Sequence, residues 1–131
     1  MNQQDGNPKV VLVADDDASI RHAVRLKLAK AGLKVLVAVD GEDALRLALE
    51  NEPDLVIVDL QMPYMNGYEV CRQMRRSAVL AATPVIVLTA MEQDIDPELA
   101  VALGVMRFMT KPFSPRELLA TTQELLELRA L

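Results

Sequence analysis

Short apolar runs alternate with amphipathic stretches along the chain. The runs cover residues 10–14, 35–39, 55–58, 85–88 and, less strongly apolar, 105–109. The first four are continuous and rich in β-branched residues instead of alternating between apolar and polar positions. This pattern is typical of strands that are covered on both faces, as in a parallel sheet. The sequence therefore predicts five short strands, with the first four buried.

The amphipathic stretches between these runs predict helices. Residues 17–31 carry Ile20, Val24 and Leu28 at a spacing of four, and Gly32 then ends the helix. The next amphipathic stretch is predicted to place four apolar residues on one face, and these are Ala44, Leu45, Ala48 and Leu49.

Three further helices are marked by the residues that cap their starts. Asn66 is followed three residues later by Glu69, which is the pairing of a capping box. Asp96 and Ser114 each precede a proline, the residue favoured at the first helical position. The helix after Ser114 is predicted to turn four residues inward, and these are Leu118, Thr122, Leu125 and Leu126.

The order of elements is a strand followed by a helix, repeated five times. Right-handed crossovers place helices on both faces of such a sheet, so the fold class is α/β with a doubly wound, five-stranded parallel sheet. No internal repeat, low-complexity tract or linker interrupts the pattern. We expect a disordered N-terminal segment over residues 1–8, one domain over 9–128 and a tail over 129–131.

Composition narrows the setting and the partners. The 131 residues are 51% hydrophobic and 25% charged, as expected for one globular domain. A net charge of -5 argues against direct binding to nucleic acid or to an anionic membrane. The polar N-terminus lacks the layout of a signal peptide, and no apolar run reaches the roughly 18 residues that span a bilayer. With a single cysteine, Cys71, no internal disulfide forms, and we expect a cytoplasmic protein.

Charged and polar residues follow four of the predicted strands. The first strand ends in Asp15-Asp16-Asp17, the third in Asp59, the fourth in Thr89 and the fifth in Lys111. In open α/β sheets the functional site lies at the carboxyl ends of the strands. Each residue alone has an ordinary structural explanation, such as a helix cap or a solvated lysine. Their occurrence at four strand ends favours a shared site.

This set of residues is suited to phosphoryl chemistry. Gathered carboxylates repel each other and stay ionised only when a cation lies among them. Oxygen ligands suit Mg²⁺, which binds one or two carboxylates together with phosphate oxygens. A carboxylate nucleophile, a metal, a lysine and a hydroxyl match the needs of a transferred phosphoryl group.

Taken together, these residues resemble the receiver domain of bacterial two-component response regulators. The resemblance extends from Val10 to about Leu128. The segments that carry it are Val11-Leu12-Val13-Ala14-Asp15-Asp16-Asp17, Leu55-Val56-Ile57-Val58-Asp59-Leu60-Gln61-Met62-Pro63, Asn66-Gly67, Val87-Leu88-Thr89-Ala90 and Thr110-Lys111-Pro112-Phe113. The resemblance implies a flavodoxin-like (βα)5 fold with strand order 2-1-3-4-5.

The resemblance also implies a role for each residue of the site. Asp59 resembles the phosphoacceptor aspartate. Mg²⁺ would be bound by Asp59, by Asp16 directly, by Asp15 largely through water and by the backbone carbonyl of Gln61. Thr89 and Lys111 resemble the pair that contacts the phosphoryl oxygens, and Lys111-Pro112 resembles the cis-peptide site of the family.

The family further implies a switch. A sensor histidine kinase or a histidine phosphotransfer protein donates the phosphoryl group, and Thr89 then moves toward it. Phe108 falls where the family has its switch aromatic, often a tyrosine, and would either follow Thr89 inward or serve as a core residue without a hydroxyl. The face formed by the fourth helix, the fifth strand and the fifth helix would change its affinity for a downstream protein target or a fused effector domain. Gln61 and Met91 are expected to tune loss of the phosphoryl group by hydrolysis. Such a domain is a signalling module and not a turnover enzyme.

Three alternatives are open at this point. A haloacid-dehalogenase-type phosphatase would use Asp15 as the nucleophile, but it requires a further acidic pair after Lys111 and leaves Asp59 without a role. A flavodoxin-like electron carrier would bring the flavin phosphate against three aspartates, which repel it. A pseudo-receiver would keep the fold and act only as an interaction module, although every chemical position is filled here.

Overall fold

The structure is a computed structural model that describes residues 7–130, with the backbone alone at Ala130. Most of the predicted disordered segment 1–8 therefore lies outside the described residues, as does Leu131. Within the described chain, no helix is both long and apolar enough to cross a bilayer.

Five strands alternate with five α-helices, as the apolar runs predicted. The strands are β1 (Val10–Ala14), β2 (Lys34–Ala38), β3 (Leu55–Asp59), β4 (Val85–Thr89) and β5 (Val105–Thr110). The helices are α1 (Ala18–Lys30), α2 (Gly41–Asn51), α3 (Gly67–Arg75), α4 (Pro97–Leu103) and α5 (Pro115–Ala130). A single 3₁₀ turn, Glu92–Asp94, lies in the segment between β4 and α4.

The helix caps form where the sequence placed them. Asn66 and Glu69 make a reciprocal capping box at the start of α3. Asp17, Asp40 and Asp96 each accept a backbone N–H of the first turn of α1, α2 and α4. These bonds satisfy N–H groups that have no partner within the helix, so they fix the residue at which each helix begins.

All neighbouring strands pair in parallel in the order β2-β1-β3-β4-β5, which confirms the predicted topology. The pairing of β4 with β5 contains a one-residue irregularity. Val85 pairs with Val105, whereas Ile86 pairs with Arg107, so Met106 is an extra residue in β5. It is a β-bulge at the edge of the sheet.

The core consists of two apolar layers, one on each face of the sheet. One layer joins Leu12 and Val56 of the sheet to Ala48 of α2 and Met74 of α3. The other joins residues such as Val11 to α1 and α5. All four residues predicted to turn inward from the fifth helix are buried, and these are Leu118, Thr122, Leu125 and Leu126. The two layers hold the strand ends in a fixed arrangement.

Two predictions about burial are wrong. β2 is an edge strand that pairs only with β1 among the described strands, so Val37 is exposed and Val35 is half-buried. Leu49 of α2 is also exposed, whereas Leu47 packs against the core layer. A continuous apolar run identifies a strand but does not show whether the strand lies at the centre or at the edge of the sheet.

Candidate metal centre

The four predicted strand ends meet at one edge of the sheet. β1 leads directly into Asp15, β3 ends at Asp59, β4 ends at Thr89 and β5 leads into Lys111. Because β1, β3, β4 and β5 are consecutive neighbours in the parallel sheet, these residues lie side by side. The topology therefore brings together side chains that are up to 96 positions apart in the sequence.

Three carboxylates form a compact group at this edge. One oxygen each from Asp15, Asp16 and Asp59 lies within 4.8 Å of the other two. Asp15 and Asp59 are buried, with 0% and 4% of their surface exposed, whereas Asp16 is exposed to solvent. The group thus has two fixed ligand positions in the interior and one that faces the solvent.

The Asp15 side chain is held by the start of α1. Its Oδ1 accepts the backbone N–H of Asp17 at 2.9 Å. Arg21 of α1 donates from Nη1 to the backbone carbonyl of Asp15 at 2.8 Å. The Oδ2 atom is fully buried and has no well-oriented hydrogen bond, although the Lys111 ammonium lies 2.9 Å away. This oxygen is available to a further cation.

Lys111 joins the two buried carboxylates. Its Nζ lies 2.9 Å from Asp15 Oδ2 and 3.2 Å from Asp59 Oδ2. Burial alone would lower the pKa of Lys111, but its close contact with Asp15 and the charges of Asp15 and Asp59 outweigh burial and raise it. Lys111 is therefore charged at neutral pH. The peptide bond that follows it, Lys111-Pro112, is cis as predicted.

The Asp59 carboxyl is poised between its charged and neutral forms. Burial and the charge of Asp15 raise its pKa from 3.8 to about 6, while Lys111 and the backbone N–H of Gln61 act in the opposite direction. The pKa is raised first because burial disfavours the charged form, and second because the Lys111 ammonium is shared between two adjacent buried carboxylates. A cation at this site would favour the ionised form of Asp59.

Thr89 and Phe108 make contacts outside the carboxylate group. The Thr89 hydroxyl is buried and bonded to Met91, donating to its carbonyl at 3.1 Å and accepting its N–H at 3.2 Å. Phe108 is half-buried and packs edge-on against Tyr68, with 6.4 Å between the ring centroids. The threonine is near the site but is engaged with the loop that follows β4.

Gln61 connects Asp59 to the segment between β4 and α4. Its backbone N–H donates to Asp59 Oδ1 at 3.4 Å, and its side-chain amide donates to the carboxylate of Asp94. Gly67 opens α3 directly behind Asp59, where a Cβ would lie 2.9 Å from the Asp59 carbonyl oxygen. The lack of a side chain at Gly67 lets α3 approach the phosphoacceptor candidate.

Four contributors to the site were not predicted as such: Arg21, Gly67, Tyr68 and Asp94. Only Gly67 carried a signal, because it follows the capping asparagine Asn66 at the end of the loop after the third strand. Arg21, Tyr68 and Asp94 act through single hydrogen bonds to other loops and helices. No periodicity or spacing in the sequence marks such contacts.

The carboxylate group has the properties of a site for a hard divalent cation. It offers oxygen ligands only, two of them rigidly held, and includes the buried Asp15 Oδ2 without a well-oriented hydrogen-bond donor. Mg²⁺ and similar ions bind through one or two carboxylates and keep several waters, which the exposed side of Asp16 permits.

The family model of the response regulator receiver domain matches residues 11–123. This chain belongs to that family. As a receiver domain it is part of two-component signalling, and its membership sets aside the dehalogenase-type and flavodoxin-type interpretations. The match begins at the second residue of β1, covers β2 to β5 and ends within α5.

Relatives of this receiver domain include a larger transcriptional regulator. The alkaline phosphatase synthesis transcriptional regulatory protein PhoP of Bacillus subtilis is 40% identical over 118 residues. These residues are 90% of this chain and 48% of PhoP, so the receiver domain spans about half the length of that relative.

Solved structures show the same fold at moderate identity. The chemotaxis protein CheY4 of Vibrio cholerae is 34% identical, with a TM-score of 0.83 over 91% of this receiver domain and 99% of that chain. The receiver domain of the Francisella response regulator 1452 is 35% identical, with a TM-score of 0.83 over 94% and 99%. These similarities confirm the flavodoxin-like fold with strand order 2-1-3-4-5.

Proposed function

We propose that this receiver domain accepts a phosphoryl group on Asp59 from the phosphohistidine of a sensor histidine kinase or a histidine phosphotransfer protein, in a reaction that requires Mg²⁺. One observation carries the proposal. The buried Asp59 carboxylate lies 3.2 Å from the Lys111 ammonium and within 4.8 Å of ligand oxygens of Asp15 and Asp16. This arrangement combines a nucleophile, a fixed cation and a metal site.

The metal would be held by residues from two loops. They are the carboxylates of Asp15, Asp16 and Asp59 and the backbone carbonyl of Gln61. A bound Mg²⁺ supplies positive charge and orients the phosphoryl oxygens. Besides these ligands, the chain supplies the buried surroundings of Asp15 and Asp59 and the second positive charge, that of Lys111.

Transfer proceeds by in-line displacement at phosphorus. An Asp59 oxygen forms the new O–P bond while the P–N bond to the donor histidine breaks and its electron pair returns to the imidazole nitrogen. Lys111 already lies between Asp15 and Asp59, so its ammonium can donate to a phosphoryl oxygen without a large movement. The receiver domain therefore contributes catalysis through positioning and electrostatics.

The phosphorylated form then acts as a switch. Thr89 exchanges its hydrogen bonds with Met91 for one to a phosphoryl oxygen, and Phe108 moves with it. The affected face consists of α4, β5 and α5, where Val101 is 82% exposed and Met106 is 44% exposed. These apolar side chains suit contact with a downstream protein or a fused effector domain.

Water later cleaves the O–P bond, which resets Asp59 and makes the domain a signalling module instead of a turnover enzyme. The cytoplasmic location expected from the sequence is part of this proposal. No contact with nucleic acid or membrane by this domain is part of the proposal.

Intact-mass spectrometry after incubation with acetyl phosphate, with and without Mg²⁺, tests the proposal. We expect one phosphoryl adduct that needs Mg²⁺, is absent in Asp59→Asn and is retained in Asp17→Asn. Asp17 is a matched control because asparagine also caps helices and Asp17 lies outside the carboxylate group. A folded wild type without an adduct would favour the pseudo-receiver, and an adduct that survives Asp59→Asn but needs Asp15 would revive the phosphatase.

A further inference from the structure

The segment between β4 and α4, residues 90–96, is held mainly by polar contacts. Every residue of this segment is exposed except the half-buried Ile95. It contains the 3₁₀ turn Glu92–Asp94 and ends at Asp96, the residue that caps α4. A segment with so little buried apolar surface takes its position from individual hydrogen bonds.

Three side chains from the rest of the domain fix this segment. Thr89 bonds to both backbone groups of Met91 at its beginning. The amide of Gln61 bonds to Asp94 in its middle. At its end, the backbone N–H of Asp96 donates to the hydroxyl oxygen of Tyr68 at 2.8 Å.

Tyr68 occupies a position from which it can influence both α4 and Phe108. It is 8% exposed and lies in the first turn of α3. Its hydroxyl holds the residue whose carboxylate caps α4 through the Leu99 N–H at 3.2 Å. Its ring packs edge-on against Phe108 at an interplanar angle of 68°. One side chain thus contacts the start of α4 and the aromatic residue of β5.

The far end of α4 is attached to the same helix. Cys71 and Arg75 of α3 both donate to the carbonyl of Leu103, at 3.2 and 2.8 Å. α3 therefore holds α4 at both ends, and Tyr68 is the attachment nearer to Thr89. Along the chain, the contact of Tyr68 with Asp96 lies between the contact of Thr89 with Met91 and the body of α4.

We propose that Tyr68 is a positioning residue of the phosphoryl switch. Its hydroxyl restrains residues 90–96 and the start of α4 in the unphosphorylated arrangement, and this restraint is released when Thr89 leaves Met91. The inference rests on the proposed phosphorylation of Asp59. In this proposal the hydroxyl that takes part in the switch belongs to Tyr68 of α3, since Phe108 of β5 has none.

In this proposal the hydrogen bond from the Asp96 N–H to the Tyr68 hydroxyl is present in the unphosphorylated arrangement and absent in the phosphorylated one. Such a bond favours the arrangement in which it forms and opposes any ligand that prefers the other. Hydrogen bonds of this kind contribute about 0.5–1.5 kcal/mol, which corresponds to about a two- to tenfold change in an equilibrium constant. Loss of the Tyr68 hydroxyl therefore strengthens the binding of a phosphoryl mimic.

Beryllofluoride, which activates the receiver domain named DrrB, is a suitable probe. We would titrate it into the Mg²⁺-saturated full chain and follow binding by NMR in the wild type, Tyr68→Phe and Tyr64→Phe. Tyr68→Phe is expected to bind about two- to tenfold more tightly than the wild type. Tyr64→Phe is the matched control, because Tyr64 is 86% exposed and is the other tyrosine of the chain; its affinity should not change.

A second measurement separates the restraint from a general loss of stability. Hydrogen exchange at the Asp96 amide should become faster in Tyr68→Phe and also in the wild type when beryllofluoride binds. Equal or weaker beryllofluoride affinity in Tyr68→Phe would overturn the inference, as would an Asp96 amide that stays equally protected on binding. A wild type that binds no beryllofluoride would overturn the proposed function and the inference together, so the two failures are distinguishable.

Discussion

At the scale of single residues, Asp59 is where folding and chemistry make opposite demands. Burial beside Asp15 raises its pKa to about 6, so its ionised form is disfavoured in the folded chain relative to solution. That same burial prepares the carboxylate to gain strongly from a cation and a phosphoryl group. The candidate site is therefore locally destabilising when no ligand neutralises it, as strained functional sites often are.

Removal of this charge should stabilise the metal-free protein. The folded pKa of about 6 lies above the ordinary value of 3.8, so the folded state binds the proton more tightly than the unfolded state. The contribution of the protonated Asp59 carboxyl to the free energy of unfolding is fully present below pH 4 and is lost as the pH rises through about 6. We expect Asp59→Asn to raise the free energy of unfolding by about 1–3 kcal/mol at pH 7 with a chelator present.

Urea denaturation at pH 7 and pH 4 measures this difference. The advantage of Asp59→Asn should shrink at pH 4, where the wild-type carboxyl is largely protonated. Asp17→Asn serves again as the control and should show no such pH-dependent gain. An Asp59→Asn protein that is no more stable than the wild type at pH 7 would contradict the claim that the buried charge of Asp59 destabilises the metal-free fold.

At the scale of secondary-structure elements, the junction of β3 and α3 positions the phosphoacceptor candidate. The N–H of Gly67 donates to the carbonyl of Leu60 at 3.0 Å, which closes the loop after Asp59. A Cβ on Gly67 would approach the Asp59 carbonyl oxygen at 2.9 Å and the Leu60 Cα at 3.1 Å. Both contacts are with backbone atoms, so the junction has little freedom to adjust.

Gly67→Ala should therefore impair the site as well as the fold. We expect a loss of about 1–3 kcal/mol in the free energy of unfolding, because the added methyl group forces backbone shifts. Phosphorylation of Asp59 by acetyl phosphate should also slow. Gly32→Ala is the comparison, since Gly32 has a φ of +91° and no atom within 4 Å of an added Cβ. It should lose stability without slower phosphorylation, and equal slowing in both would contradict the argument.

The elements were largely predictable from sequence because their signals are local. Continuous apolar runs marked the strands, and Asn66, Asp96 and Ser114 marked helix starts. The convergence of Asp15, Asp59, Thr89 and Lys111 followed from the rule for strand ends. The edge position of β2 and the exposure of Leu49 were not predictable in this way, because each depends on which elements lie alongside in space.

At the scale of the whole molecule, the two core layers provide the stability of the fold, and the carboxylate group contributes little to it. α1 and α5 cover one face of the sheet and α2 and α3 the other, and the carboxylate group lies at the edge between them. Asp16 is the exposed member of that group. Its side chain is therefore available for binding and contributes little to packing.

Binding of Mg²⁺ should raise the thermal stability of the whole domain, and this increase should depend on Asp16. A ligand that binds only the folded state adds about 2.7 kcal/mol at a concentration one hundred times its dissociation constant. Saturating Mg²⁺ should raise the Tm of the wild type, whereas Asp16→Asn should keep the metal-free Tm and lose most of the increase. Differential scanning calorimetry with Mg²⁺ or EDTA measures both. An unchanged increase in Asp16→Asn would exclude Asp16 as a ligand, and the absence of any wild-type increase would argue against the metal site.

The bulge in β5 decides on which side of the sheet the Phe108 side chain lies. With Met106 as a supernumerary residue, Phe108 is opposite Val87 and belongs to the layer that contains Tyr68. In an uninterrupted ladder Phe108 would pair with Leu88, whose side chain belongs to the layer of α1 and α5. The bulge thus shifts the alternation of side chains along β5 by one residue, and deletion of Met106 is expected to turn the Phe108 side chain toward the layer of α1 and α5.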